Sequence, residues 1–146
     1  MKTIKLSCVG MFLVTVMMSG CSDSTVNVPE VSTVSGKVLL SSGKPLTAGR
    51  VMLRPASSLT KATRKARRVI ADVGNDGQFK IDTATAEVPI LAGEYRVYII
   101  LGNDPRMKSL RKQVPEKYRS MEDDESDLIV NLGEQTESIV LKLAEG

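Results

Sequence analysis

The chain has 146 residues, 42% hydrophobic but only 3% aromatic, with a net charge of +3 at pH 7. It contains no histidine and no tryptophan. Without histidine there is no Ser-His-Asp or Cys-His nucleophilic scheme, and the commonest zinc ligand is missing. An enzyme would have to work with carboxylates, lysine, serine or tyrosine.

Lys2 and Lys5 form a short positive start, and residues 6–18 are almost wholly apolar. A helix needs about 20 apolar residues to span a bilayer. This core is shorter and exits through small residues, which is the grammar of an export signal. It ends Met18-Ser19-Gly20-Cys21, which resembles the lipobox of bacterial lipoproteins. The resemblance implies that Cys21 receives lipid and becomes the first residue of the mature chain, residues 1–20 being the signal peptide. Ser22 in place of aspartate implies the outer rather than the inner membrane. The alternatives are an uncleaved single-span anchor, or a plain signal with Cys21 a bystander thiol. One acyl chain holds a protein only marginally and two or three hold it durably.

Cleavage before Cys21 would remove Lys2 and Lys5 and lower the net charge from +3 to +1. Cys8 would leave as well, so no disulfide is available, and 126 residues must stand on their core as a single domain. Residues 21–32 are small and polar with one proline, and are expected to tether the domain, 33–144, to the membrane. A loosely attached first strand is the alternative there.

From residue 33 the pattern alternates, with Val34, Gly36, Val38 and Leu40 on one face. Turn chemistry at 41–45 leads to a second alternating run at 49–55, giving a hairpin or a tight strand–turn–strand unit. Residues 56–65 are expected to form a loop. The runs 67–73 and 78–83 flank Gly74-Asn75-Asp76-Gly77, a strong hairpin signal because the turn needs residues that tolerate positive φ. The run 94–101 is the most strand-like, with Tyr95, Val97 and Ile99 expected at the centre of the core. Residues 102–127 form a long charged connection with room for a short helix over 107–113. Residues 128–132 and 136–143 are expected to close the fold as a hairpin. Seven short strands without a dominant helix after the signal indicate an all-β fold, a seven-stranded antiparallel β-sandwich.

Gly36-Lys37-Val38, Gly43-Lys44-Pro45-Leu46, Asp76-Gly77-Gln78-Phe79 and Ala92-Gly93-Glu94-Tyr95-Arg96-Val97 follow one another in an order that resembles carboxypeptidase regulatory-like domains, over roughly 33–143. Pro115-Glu116-Lys117-Tyr118 and Ser126-Asp127-Leu128-Ile129-Val130 are similar to versions found in small bacterial lipoproteins. The resemblance implies a prealbumin-like (transthyretin-like), immunoglobulin-like sandwich that accompanies or displays something and is not itself catalytic.

Three patterns suggest chemistry and each has a plainer reading. Ser58-Leu59-Thr60-Lys61 places a lysine one helical turn from a serine; it falls in an expected polar loop, and Ser41-Ser42-Gly43-Lys44 spells the same pattern inside a turn. Asp82-Thr83-Ala84 lacks the glycine of an aspartic protease loop. Asp72-Val73-Gly74-Asn75-Asp76-Gly77 resembles the start of a calcium loop, but Gly74 and Thr83 stand where ligands are required. No catalytic residue, metal or cofactor is therefore expected.

Two charge runs remain. Lys61, Arg64, Lys65, Arg67 and Arg68 form a basic stretch; Glu122, Asp123, Asp124, Glu125 and Asp127 form an acidic one. Both could be solvated loops that touch through weak surface pairs. The functional alternative is that the basic stretch docks an anionic surface: lipid head groups, an acidic polysaccharide or an envelope protein. No aromatic interleaves it, so base stacking lacks support and nucleic acid is not expected as a partner. For a carbohydrate ligand, Tyr98 and Tyr118 are the aromatic platforms on offer. The favoured expectation is a lipid-anchored, non-catalytic module of the cell envelope. The second is a lipoprotein binding a carbohydrate or anionic ligand through 61–68 and Tyr118.

Overall fold

The computed structural model describes residues 27–63, 66–82, 89–121, 126–134 and 138–145. The signal segment, Cys21, Arg64 and Lys65 lie outside the described residues, as does the acidic run apart from Asp127. Among the described residues, no helix is long and apolar enough to cross a membrane.

Nine strands are present among the described residues. They are β1 (Glu30–Val31), β2 (Thr33–Leu39), β3 (Arg50–Pro55), β4 (Val69–Asp72), β5 (Gln78–Asp82), β6 (Ile90–Leu91), β7 (Gly93–Ile100), β8 (Ile129–Leu132) and β9 (Ser138–Lys142). Seven of them make the two main sheets, in the orders β5-β2-β9 and β4-β3-β7-β8, while β1 and β6 form a small pair of their own. This is a β-sandwich. Its core holds Val34 and Val38 from β2, Val51 and Leu53 from β3, and Tyr95, Val97 and Ile99 from β7, all on the faces that alternation assigned. Gly36 shares the β2 face because no side chain fits there: a Cβ would sit hard against the Ile139 carbonyl and 2.8 Å from the Phe79 ring.

Both ends of each strand can be placed along the sandwich. β2 runs away from the chain entry towards the turns at 40–46 and 74–77, which form the distal end. Leu40 N–H donates to the Lys44 carbonyl at 2.8 Å, and Val38 N–H to the Gly77 carbonyl at 2.9 Å. β3 returns to the entry end and stops at Pro55, paired with Tyr95 near the start of β7.

Several expectations need correction. The Asn75-Asp76-Gly77 turn reverses the chain without making a hairpin ladder, because β4 pairs with β3 and β5 with β2. The closing hairpin is likewise absent: β8 pairs with β7, and β9 with β2. The β2–β9 pairing is parallel, since both strands start at the entry end, so the sandwich is not wholly antiparallel. The segment expected to be tether joins the fold before residue 32. β1 pairs with β6, and Val31 is only 2% exposed.

Residues expected to be loop also fold into a short helix, α1 (Ser57–Thr63). The expected helix in the long connection is α2 (Lys108–Gln113). A 3₁₀ turn at Pro105–Met107 leads into it, with Asp104 Oδ1 accepting from Arg106 N–H at 2.9 Å and proline in the first turn. Arg111 and Lys112 then suit the negative end of the α2 dipole.

The long connection is packed by its own residues. β8 pairs only with Gly93–Arg96, so β7 would be left unpaired along that side beyond Arg96. The Ser126 hydroxyl donates to the Val97 carbonyl at 2.6 Å, and Val97 N–H donates to the Leu128 carbonyl at 2.9 Å. Val114 and Tyr118 join the core cluster. A buried backbone group without a partner costs about 1–3 kcal/mol, which makes this seal more than decoration.

Candidate functional site

The outer face of the four-stranded sheet carries the residues of β3 and β7 that alternate with the core set. Arg54 of β3 stands directly opposite Arg96 of β7, and Met52 directly opposite Tyr98. Pro55 ends β3, and α1 follows at once; its first turn is tied back through Thr60 N–H to the Ala56 carbonyl and through Ala56 N–H to the Glu94 carbonyl, at 3.1 and 2.9 Å. Gly93 lets β7 begin beneath the helix. Its φ is +145°, and a Cβ would lie 3.0 Å from Leu59. Leu59 is buried while Ser57, Ser58 and Lys61 stay exposed, so α1 lies on the sheet by one apolar contact and presents its polar side.

Between α1, the segment entering β4 and the sheet runs an open groove of about 920 Å³. Its described lining includes five cationic residues (Arg54, Lys61, Arg67, Arg68 and Arg96) and one carboxylate, Glu94. Met52, Ala66 and Met121 supply apolar surface. The Met121 carbonyl accepts from Arg54 Nη1 at 3.3 Å.

Of the basic stretch named from sequence, Lys61, Arg67 and Arg68 therefore come together at the groove, and Arg64 and Lys65 fall outside the described residues. Arg54 and Arg96 were missed. They are 42 positions apart, and only the β3–β7 register brings them face to face. Like charges directly opposite in a sheet repel, and both arginines have interaction partners within the chain that offset this. Two planar guanidinium forks suit carboxylate or phosphate oxygens better than ammonium groups would.

Neither tyrosine serves as a sugar platform. Tyr98 is 0% exposed and Tyr118 1% exposed. The Tyr118 hydroxyl accepts from Ala144 N–H at 3.1 Å, fastening the chain that follows β9, and Tyr118 is not among the groove's lining residues. Its ring is also covered by Lys117, whose Nζ lies 4.9 Å from the centroid. Lys117 pairs with Asp127 at 2.8 Å. That hydrogen bond raises the lysine's pKa and lowers the aspartate's, but both groups are solvated and the pair is screened by salt.

Two other sequence candidates keep their plain readings, while Asp82-Thr83-Ala84 leaves the described residues after Asp82. Ser58 and Lys61 do lie one turn apart on a helix, yet both are exposed, where a serine nucleophile gains no activation. Asp76 Oδ1 accepts from Gln78 N–H at 3.0 Å, and Gly77 has φ +81°, so 74–77 is turn chemistry. Among the described residues, no three acidic, histidine or cysteine side chains are grouped to hold a metal.

No protein-family model matches the chain, and no curated protein does. Among solved structures, it is similar to a DUF3823 family protein from Parabacteroides merdae, at 21% identity and a TM-score of 0.47. That match covers 81% of this chain and 47% of the other, so the chain spans about half of that protein's length. It is also similar to a "putative carbohydrate binding protein" from Pseudomonas aeruginosa, at 19% identity and a TM-score of 0.41, over 82% of this chain and 92% of the other. Likeness at this level carries no argument here, and the fold rests on the strand pairings themselves.

Proposed function

We propose that the chain is an exported bacterial lipoprotein, anchored through Cys21 to the outer membrane. Its carboxypeptidase regulatory-like sandwich acts as a non-catalytic interaction module of the cell envelope. The groove on the outer face of the four-stranded sheet is its contact site, for a partner that carries negative charge. The observation behind this is that the exposed cations Lys61 and Arg68 stand on one concavity together with Arg54, Arg67 and Arg96, and that its described lining holds one carboxylate, Glu94. A site of this kind raises the local concentration of an anion and orients it without needing a nucleophile or a base. An acidic polysaccharide is the second reading of the ligand, favoured by the concave shape of the groove.

Mass spectrometry of the protein from its native cell tests the anchor. The expected mature N-terminus is acylated Cys21, and an unmodified thiol there would overturn the lipoprotein reading. A panel of esterase, peptidase and glycosidase substrates tests the non-catalytic role, with no turnover expected from the purified protein.

A further inference from the structure

The two sheets treat their outer faces differently. On the four-stranded sheet, Met52 and Tyr98 face each other on the outer side, yet they are 2% and 0% exposed. On the three-stranded sheet the outward positions stay open. Lys80, Ser138, Val140 and Lys142 are exposed there, while Ser35 and Lys37 are half-buried. Val140, at 65%, is the most exposed large hydrophobic side chain among the described residues.

Strand register turns these positions into a pattern that the linear order conceals. Lys80 of β5 stands opposite Ser35 of β2, and Lys142 of β9 stands opposite Leu39. Lys37 lies midway between Ser35 and Leu39 on β2. The three lysines therefore fall on one straight diagonal across all three strands. Strands about 4.8 Å apart with a rise of about 3.3 Å per residue set successive lysines about 8 Å apart at their Cα atoms. That is about one Debye length at physiological salt, so each ammonium reinforces the field of the next. None of the three has a hydrogen-bond or ion-pair partner among the described residues. Asp82 is the one carboxylate among the described strand residues of this face, and it has a partner of its own.

The positions beside the row are uncharged. Ser35 and Ser138 stand opposite each other on one flank, and Val140 stands opposite Lys37, two residues before Lys142. A straight row of point charges beside hydroxyls and one aliphatic side chain suits an extended polyanion that also carries hydroxyls and C–H surface. A lysine ammonium has no fixed fork, so it accepts a carboxylate from several directions along a chain. A membrane is charged in two dimensions and gives a straight row no advantage over scattered charges. No aromatic stands on this face for a nucleobase to stack on. We infer that the outer face of the three-stranded sheet is a second binding surface, on which a linear acidic polysaccharide lies along Lys80, Lys37 and Lys142. Its carboxylates meet the ammonium groups, its hydroxyls meet Ser35 and Ser138, and the C–H face of a sugar ring covers Val140. The groove lies on the other sheet, so this surface depends neither on it nor on the anchor.

Lysine footprinting tests this on the full protein from its native cell, in neutral detergent, with polygalacturonate as the probe. Acetylation of each lysine is read by mass spectrometry. At about ten times the dissociation constant, Lys37, Lys80 and Lys142 should react about tenfold more slowly, while Lys108 and Lys112 of α2 keep their rates. High salt should abolish the protection. Protection should persist in Arg67→Gln with Arg68→Gln, which removes charge only from the groove. In that background, Lys37→Gln, Lys80→Gln and Lys142→Gln together should lower the remaining affinity about tenfold. The same charge removed at Arg106, Lys108 and Lys112 should leave it unchanged.

Unchanged rates along the row, or equal protection of α2, would overturn the inference. So would protection by phosphatidylglycerol vesicles but not by polygalacturonate, which would make this face lipid-facing. Loss of all protection in the Arg67, Arg68 variant would also overturn it, and would leave the groove reading in place.

Discussion

The two ends of this sandwich solve the same problem in opposite ways. At the distal end, the 40–46 and 74–77 connections are tight turns closed by backbone hydrogen bonds, with Gly77 held at φ +81° against the Val38 carbonyl. At the entry end, the connection from β3 to β4 runs through α1 and a basic segment, held to the sheet by Leu59 and tied to β7 through Ala56 and Glu94. One end spends its sequence on geometry and the other on charge. The difference teaches where to look for function: an end whose side chains are not needed for closure can carry exposed charge, as at Lys61 and Arg68, at little cost in stability.

The sharpest way to break this contrast is Gly77→Ala. Its Cβ would lie 2.8 Å from the Val38 carbonyl oxygen, in a backbone conformation that favours glycine. Urea denaturation should show a loss of about 2–3 kcal/mol. A loss no larger than a surface substitution would mean that the distal turn is not the rigid end.

Tyr95→Phe probes the brace within the entry end. It removes the hydroxyl bonds to Leu91 and should cost about 1–2 kcal/mol at neutral pH. Burial raises the Tyr95 pKa above the ordinary tyrosine range, with the Leu91 backbone partly opposing it. The stability tied to its neutral form is therefore full below about pH 10 and is lost as pH rises through the raised value. The wild-type protein should weaken steeply at alkaline pH, and the Phe variant less steeply. Parallel alkaline limbs in denaturation at increasing pH would refute the assignment.

Smaller again, Tyr118→Phe should cost about 1 kcal/mol, through the lost Ala144 contact, and leave ligand binding untouched. A binding defect without a stability defect would restore the ligand role that its burial removes. Smallest in stability is Arg67→Gln with Arg68→Gln, expected to move the unfolding free energy by no more than about 0.5 kcal/mol while reducing binding of an acidic polysaccharide. A large stability loss there would erase the distinction between the two ends.

Much of the sandwich is legible along the chain. The alternation at Val34, Val38 and Leu40, and at Tyr95, Val97 and Ile99, marks strands whose inward faces are indeed buried. Each side chain's face follows from the two-residue period alone. Pairing does not: Asn75-Asp76-Gly77 announces a reversal but not which sheet the next strand joins, and the local chemistry of a turn is the same in both cases. Tyr118 illustrates another limit. A tyrosine in a charged segment looks like a surface residue, yet β7 outruns β8, and the exposed flank draws the ring inward.

The amino-acid sequence by itself determined the strand-forming runs, the turn positions, the lipobox-like start and the basic stretch from 61 to 68, because each depends on neighbours a few residues away. Tertiary structure alone decided that Arg54 and Arg96 face each other, that Tyr98 and Tyr118 are closed to ligands, and that Pro29 is fixed beside the start of β7. Those outcomes depend on strand register and on which sheet each reversal enters, and both are set by burial of the whole core together.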